Sequence, residues 1–220
     1  MSRACRAGID TANGRLPSDV DLPRYCLTVV DTKQTKTIGE HYAAAELARR
    51  GWAPALTRDG LARTDILAVH TGSGRRLVEV QVKTAMNTAW KYVNWQLGEK
   101  SQQPSASETE YFVMVGVLSD LAVPPRFFVL PRAHVAAAAW IGHQHWLTEP
   151  GIPTGQRNAP ASRSRVHVRT FERYEDRWEL LELDESACPV LLPPEFRGYA
   201  LEDRVGLPEG HAWRDGLPSW

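Results

Sequence analysis

The run Asp65-Ile66-Leu67-Ala68-Val69-His70, the turn Thr71-Gly72-Ser73-Gly74-Arg75-Arg76 and the run Leu77-Val78-Glu79-Val80-Gln81-Val82-Lys83 constrain this chain more than any other segment. In the second run valines alternate with Glu79, Gln81 and Lys83. A period of two sends the valines to one face of a strand and the acid, amide and amine to the other. The glycines between the runs supply positive φ for a short hairpin connection. With the turn centred near Gly72 and Ser73, residues whose numbers sum to about 145 to 147 face one another. Asp65 is therefore expected beside Val80 to Val82. Directly opposed Cβ atoms lie ~5 Å apart, which puts its carboxylate within reach of Gln81 and Lys83.

Such a convergence suits metal-assisted hydrolysis of a phosphodiester. An Asp carboxylate and a second oxygen ligand hold a hard cation such as Mg²⁺, which keeps several waters and bridges to a phosphate oxygen. A neighbouring Lys orients or deprotonates the attacking water and offsets charge developing on the phosphate. The order Asp65, turn, Gln81-Val82-Lys83 resembles the PD-(D/E)xK nuclease superfamily, which includes restriction endonucleases and Holliday-junction resolvases. The likeness extends over about residues 37 to 130 and implies a restriction-endonuclease-like α/β fold, a mixed sheet flanked by helices. It also implies an additional ligand, Glu40, on the helix that begins near Thr37. Two features depart from the pattern: Thr64 stands where the motif's Pro would be, and Gln81 replaces the central acid. Because an amide is a poorer ligand for a hard cation than a carboxylate, Glu79 and the Val82 carbonyl are added as candidate ligands from the strand itself.

The expected site thus comprises Asp65, Gln81 and Lys83 as catalytic residues and Glu40, Asp65, Glu79, Gln81 and Val82 as ligands for Mg²⁺, or alternatively Mn²⁺. Without the resemblance, the same polar face is more often what a solvated hairpin presents, and Lys83 would be an ion-pair partner of Asp65.

Charge bears on the partner. The chain is neutral overall, with 26 Lys and Arg against 26 Asp and Glu, whereas phosphate binding ordinarily leaves a basic footprint. The balance is uneven, however: residues 32 to 100 carry 11 basic against 6 acidic side chains, and residues 101 to 220 carry 11 against 16. The motif therefore lies in the basic half, where Arg63, Arg75, Arg76 and Lys91 are candidates for contacts with nucleic acid, DNA in preference to RNA. Trp90, Tyr92 and Trp95 either stack on bases or pack on the sheet. Cys5, Cys26 and Cys188 are too far apart in sequence for a Cys-x-x-Cys site, and the seven histidines form no zinc spacing. No apolar run suits a membrane span or a secretory leader, so a cytoplasmic address is expected.

Along the chain, residues 1 to 24 read as a loose lead, 25 to 185 as the nuclease-like domain and 186 to 220 as a Pro- and Trp-rich tail. Tyr25 to Val30 reads as a strand. A helix capped by Thr35 or Thr37 runs to Arg50, with Gly51 ending it. Strands follow at Trp52 to Thr57, in the hairpin, at Tyr111 to Leu118 and at Arg126 to Leu130. A helix from His134 to Trp146, a short strand at Arg165 to Thr170 and a helix from Phe171 to Leu183 complete the order. The functional expectation is a Mg²⁺-dependent endonuclease, possible as a homodimer; the alternatives are a nuclease-fold protein that binds nucleic acid without cutting it and a protein-interaction component.

Overall fold

The computed structural model describes residues 31–57, 61–72, 74–153 and 155–220. The lead and the strand expected at Tyr25 to Val30 lie outside the described residues.

Helix α1 (Thr32–Arg49) starts earlier than expected. Its cap is Asp31, not Thr35 or Thr37: the Asp31 carboxylate accepts from the Gln34 N–H at 2.8 Å and the Gln34 side chain accepts from the Asp31 N–H at 3.2 Å. This reciprocal box satisfies two donors that the helix itself leaves unpaired. Gly51, at φ +82°, follows the helix as the left-handed C′ residue.

Strands β1 (Trp52–Leu56), β2 (Ile66–His70), β3 (Leu77–Asn87), β5 (Glu110–Leu118) and β6 (Arg126–Pro131) form a mixed five-stranded sheet in the order β1-β2-β3-β5-β6. Only the β3–β5 pair is parallel. Flanked by helices, this is the α/β class expected from the sequence. The hairpin register also agrees, with Ile66 opposite Val80 and Leu67 opposite Glu79. Val78, Val80 and Val82 are buried while Glu79, Gln81 and Lys83 are half-buried. A separate pair, β4 (Asn94–Gln96) with β7 (Arg165–His167), lies outside this sheet.

The two long helices take opposite faces. Helix α1 approaches β3 so closely that a Cβ on Gly39 would lie 1.7 Å from Thr84 Oγ1. A mid-helix Gly costs ~1 kcal/mol in helix propensity, and here it admits the contact that seats α1 on the sheet. Helix α2 (Arg132–Leu147) brings Arg132 over the Phe112 ring on the other face, and its run Val135 to Ala139 is fully buried. Alanines there let the helix pack at short range.

Two further expectations are corrected. Residues 171 to 183 form 3-10 turns, Val168–Tyr174 and Trp178–Glu182, in place of an α-helix. Asp176, at φ +52° between them, breaks any continuous helix. The expected strand at 165 to 170 shortens to Arg165–His167, because Val168 already begins the first of those turns. The tail packs on the domain: helix α3 (Pro194–Ala200) lies against α2, Leu192 is buried, and His211 Nε2 bonds the Ala133 carbonyl at 2.9 Å. Among the described residues, no helix is long and apolar enough to cross a membrane.

Candidate active site

The site arises where one strand outruns its neighbour. Strand β3 pairs with β5 from Glu79 to Asn87, but its pairing with β2 stops at Val80. The Val80 carbonyl accepts the Asp65 N–H at 2.9 Å, so even-numbered residues of β3 present their backbone groups to the β2 side, N–H and C=O together. Past Val80 no strand meets them. Instead the Asp65 carboxylate turns in and Oδ2 accepts the Val82 N–H at 2.9 Å. One side chain thereby replaces a ladder bond, and the Val82 carbonyl is left on the open side.

A cleft of about 1080 Å³ follows this open edge. Its floor includes Asp65, Gln81, Val82, Lys83 and Thr84. Its walls are the start of α1 with Lys36, the segment Leu61 to Thr64, and Lys100 with Gln103. Among the described residues the lining carries Lys36, Arg63, Lys83 and Lys100 against one acid, Asp65. The neutrality of the chain thus conceals a basic cleft, which matches the excess positive charge of residues 32 to 100.

Within it, Lys36 rather than Lys83 is the partner of Asp65. The Lys36 ammonium lies 3.5 Å from Asp65 Oδ1 and 3.3 Å from Glu40 Oε1. Lys83 has no ion-pair or hydrogen-bond partner among the described residues. Burial pulls its pKa below the ordinary lysine range; Asp65 opposes that shift, and Lys36, Arg132 and Lys100 add to it. A buried amine among other cations gives up a proton more readily than a surface lysine.

The expected ligands divide. Glu40 and Asp65 converge on a common cation, and the Val82 carbonyl faces the same edge. Neither Glu40 nor Glu79 lines the cleft, and Glu79 does not join the pair, because its Oε2 accepts from Thr64 Oγ1 at 2.7 Å. Gln81 lines the cleft, but its Oε1 is taken by Arg132 Nη2 at 2.9 Å. Among the described residues no three His, Cys, Asp or Glu side chains gather as a metal cluster. A donor set of two carboxylates and one carbonyl fits a hard ion that retains part of its water shell, as Mg²⁺ does. It would not fit a fully dehydrated ion.

Of the expected contacts to nucleic acid, Arg63 lines the cleft, while its Nη2 donates to Glu110 and to the Pro104 carbonyl, both at 2.7 Å. Arg75 and Lys91 are exposed outside it. Arg76 is structural, bonding the Leu181 carbonyl at 2.8 Å and Asp184 at 2.8 Å. Trp95 is buried and donates to the Val115 carbonyl, and Trp90 packs on Gly116 beneath Arg126, leaving only Tyr92 of the three aromatics exposed. Lys36 and Arg132 were missed by sequence reasoning. Lys36 carried a signal, since it stands one helical turn before Glu40 and shares its face; Arg132 carried none.

No family model and no curated protein matches the chain. Among solved structures it is similar to a bacterial homing endonuclease, I-Ssp6803I, with a TM-score of 0.37 and 16% identity over 69% of this chain and 92% of that one. A likeness of that size does not bear on the chemistry.

Proposed function

We propose that this protein is a metal-dependent nuclease that hydrolyses phosphodiester bonds, in DNA rather than RNA. One observation carries the reading: Asp65, Gln81 and Lys83 meet on the unpaired edge of β3, inside a cleft whose other ionisable lining residues, among those described, are all cationic. A polyanion enters such a cleft favourably, because low-dielectric walls concentrate the field of the cations. Asp65 and Glu40, with the Val82 carbonyl, would hold Mg²⁺ or Mn²⁺, and the metal would supply charge stabilisation at the phosphate and a more acidic water. Lys36 spans those carboxylates and would yield the position to the metal. Lys83, half-buried and without an ion-pair or hydrogen-bond partner among the described residues, orients the attacking water, takes up its proton when neutral and, as the ammonium, offsets charge on the phosphate oxygens. Arg63 and Lys100 seat the flanking phosphates.

The test is nicking of supercoiled DNA with Mg²⁺, Mn²⁺ or chelator by wild type and Asp65→Asn. The substitution keeps an acceptor for the Val82 N–H and removes the charge. The expected result is metal-dependent nicking that falls ~10²-fold or more in the variant, about 2.7 kcal/mol of transition-state stabilisation. Equal nicking by both proteins would overturn the assignment.

A further inference from the structure

Gln81 stands where the resemblance places a metal ligand, and its surroundings direct it elsewhere. Arg132, at the first turn of α2, is 1% exposed. Its Nη2 donates to Gln81 Oε1 at 2.9 Å and lies 3.3 Å from the Arg63 carbonyl, its Nε lies 2.6 Å from Glu110 Oε2, and its guanidinium covers the Phe112 ring at 4.7 Å. A guanidinium only donates, so the atom of Gln81 that meets it must be the amide oxygen. The amide nitrogen is then the end that Arg132 does not hold. It has no hydrogen-bond partner among the described residues and is not sealed from solvent, and the side chain lines the cleft.

The unpaired donors of Arg132 point the same way. Arg63 and Arg132 share the carboxylate of Glu110, and Glu79 and Glu185 lie near enough to act on Arg132 as well. Among the described residues, Arg63 Nε, Arg132 Nη1 and Arg132 Nε have no hydrogen-bond partner, Arg132 Nε meeting Glu110 only as an ion pair. An acid at position 81 would be drawn onto Arg132. A neutral amide instead lets Arg132 hold the oxygen and leaves two N–H donors for whatever occupies the cleft.

We infer that Gln81 is a donor to a non-bridging phosphate oxygen of the substrate, with Arg132 as its positioning residue, and that it does not ligate the metal. This rests on the phosphodiester reading of the same cleft. It makes the metal site one of two carboxylates and turns the departure at position 81 into a substrate contact. A hydrogen bond to a charged acceptor is worth roughly 1.5–3 kcal/mol, which corresponds to a change in affinity of roughly 10- to 150-fold.

The experiment separates the two partners of the cleft. Affinity for a short fluorescent DNA duplex is measured in chelator, and affinity for Mn²⁺ is measured without DNA by calorimetry, on wild type, Gln81→Met, Gln81→Glu and Asp65→Asn, each checked for a wild-type melting profile. Gln81→Met is expected to weaken DNA binding at least 10-fold and leave Mn²⁺ affinity within 2-fold. Gln81→Glu is expected to weaken DNA binding further with no gain in Mn²⁺ affinity, and Asp65→Asn to lose Mn²⁺ binding. A double-mutant cycle with Arg132→Lys tests positioning: the losses from Arg132→Lys and Gln81→Met must be non-additive. If Arg132→Lys does not fold, the comparison of Gln81→Met with Gln81→Glu still decides. Loss of Mn²⁺ affinity in Gln81→Met with unchanged DNA binding would overturn the inference and leave the nuclease reading standing. Failure of wild type to bind DNA at any salt concentration would overturn both.

Discussion

The two sides of β3 differ in how its backbone is satisfied. Toward β5 the strand is paired over its length from Glu79 to Asn87, and the neighbouring side chains Phe112, Met114 and Phe128 are fully buried. Toward β2 the ladder stops at Val80; a carboxylate takes the next N–H, and ionisable groups from α1 and the 61–64 segment gather around the gap. The paired side holds the molecule together, and the open side leaves polar groups for chemistry. Ending a strand early is one way to bring acids, amines and backbone carbonyls together without burying them unpaired in a core.

Changes on either side sharpen this contrast. On the paired side, Phe128→Ala removes a fully buried ring that packs edge-on against Trp95 at 5.5 Å. It is expected to cost about 3–5 kcal/mol in chemical denaturation, while the folded fraction keeps wild-type nicking. Loss of activity per folded molecule would show that the two sides are coupled.

Where α1 meets the open edge, Gly39→Ala is expected to destabilise by about 1–3 kcal/mol, because its Cβ falls on Thr84 Oγ1. Lifting α1 also moves Lys36 and Glu40, so the half-saturating Mg²⁺ concentration for nicking should rise. An unchanged metal requirement would mean that α1 does not shape the site.

A smaller, pH-limited effect belongs to the paired side. Burial, with a contribution from His211, pulls the His134 pKa down to about 3. Its Nδ1 shares a 2.8 Å hydrogen bond with the Tyr174 hydroxyl, whose oxygen also accepts the Leu191 N–H at 2.8 Å. A histidine whose folded pKa lies below its unfolded value stabilises fully above ~6.5, and that contribution is lost as pH falls from there toward 3. Thermal melts between pH 7.5 and 4 should show stability falling with acidity, less steeply in His134→Gln. Parallel profiles would assign the acid sensitivity to other groups, His211 first.

The hairpin was legible because its information is local. A short turn and period-two alternation fix the register that puts Asp65 beside Gln81 and Lys83, and burial of the three valines on one face follows from the same pattern. The reciprocal cap was equally legible as Asp31-x-x-Gln34, yet the threonines further along drew the start of α1 to the wrong turn. Less accessible were contacts set by how elements cross. Lys36 reaches Asp65 only because Gly39 seats α1 on β3, and Arg132 reaches Gln81 only because α2 begins over Phe112. Glu79 satisfied the alternation yet found Thr64 nearby, a local bond that alternation does not reveal. The aromatic run after β3 resolved into packing because Trp95 and Trp90 each found a backbone or guanidinium partner within the fold.

Lys83 is the residue on which the account depends most directly. Cleavage of single-stranded, duplex and branched DNA by wild type and Lys83→Ala, each with Mg²⁺, Mn²⁺ or chelator, is the measurement to make. The account predicts metal-dependent cutting by wild type, reduced ~10²–10⁴-fold in Lys83→Ala with DNA still bound. Undiminished cutting by Lys83→Ala, or no cutting by folded wild type under any condition, would contradict it.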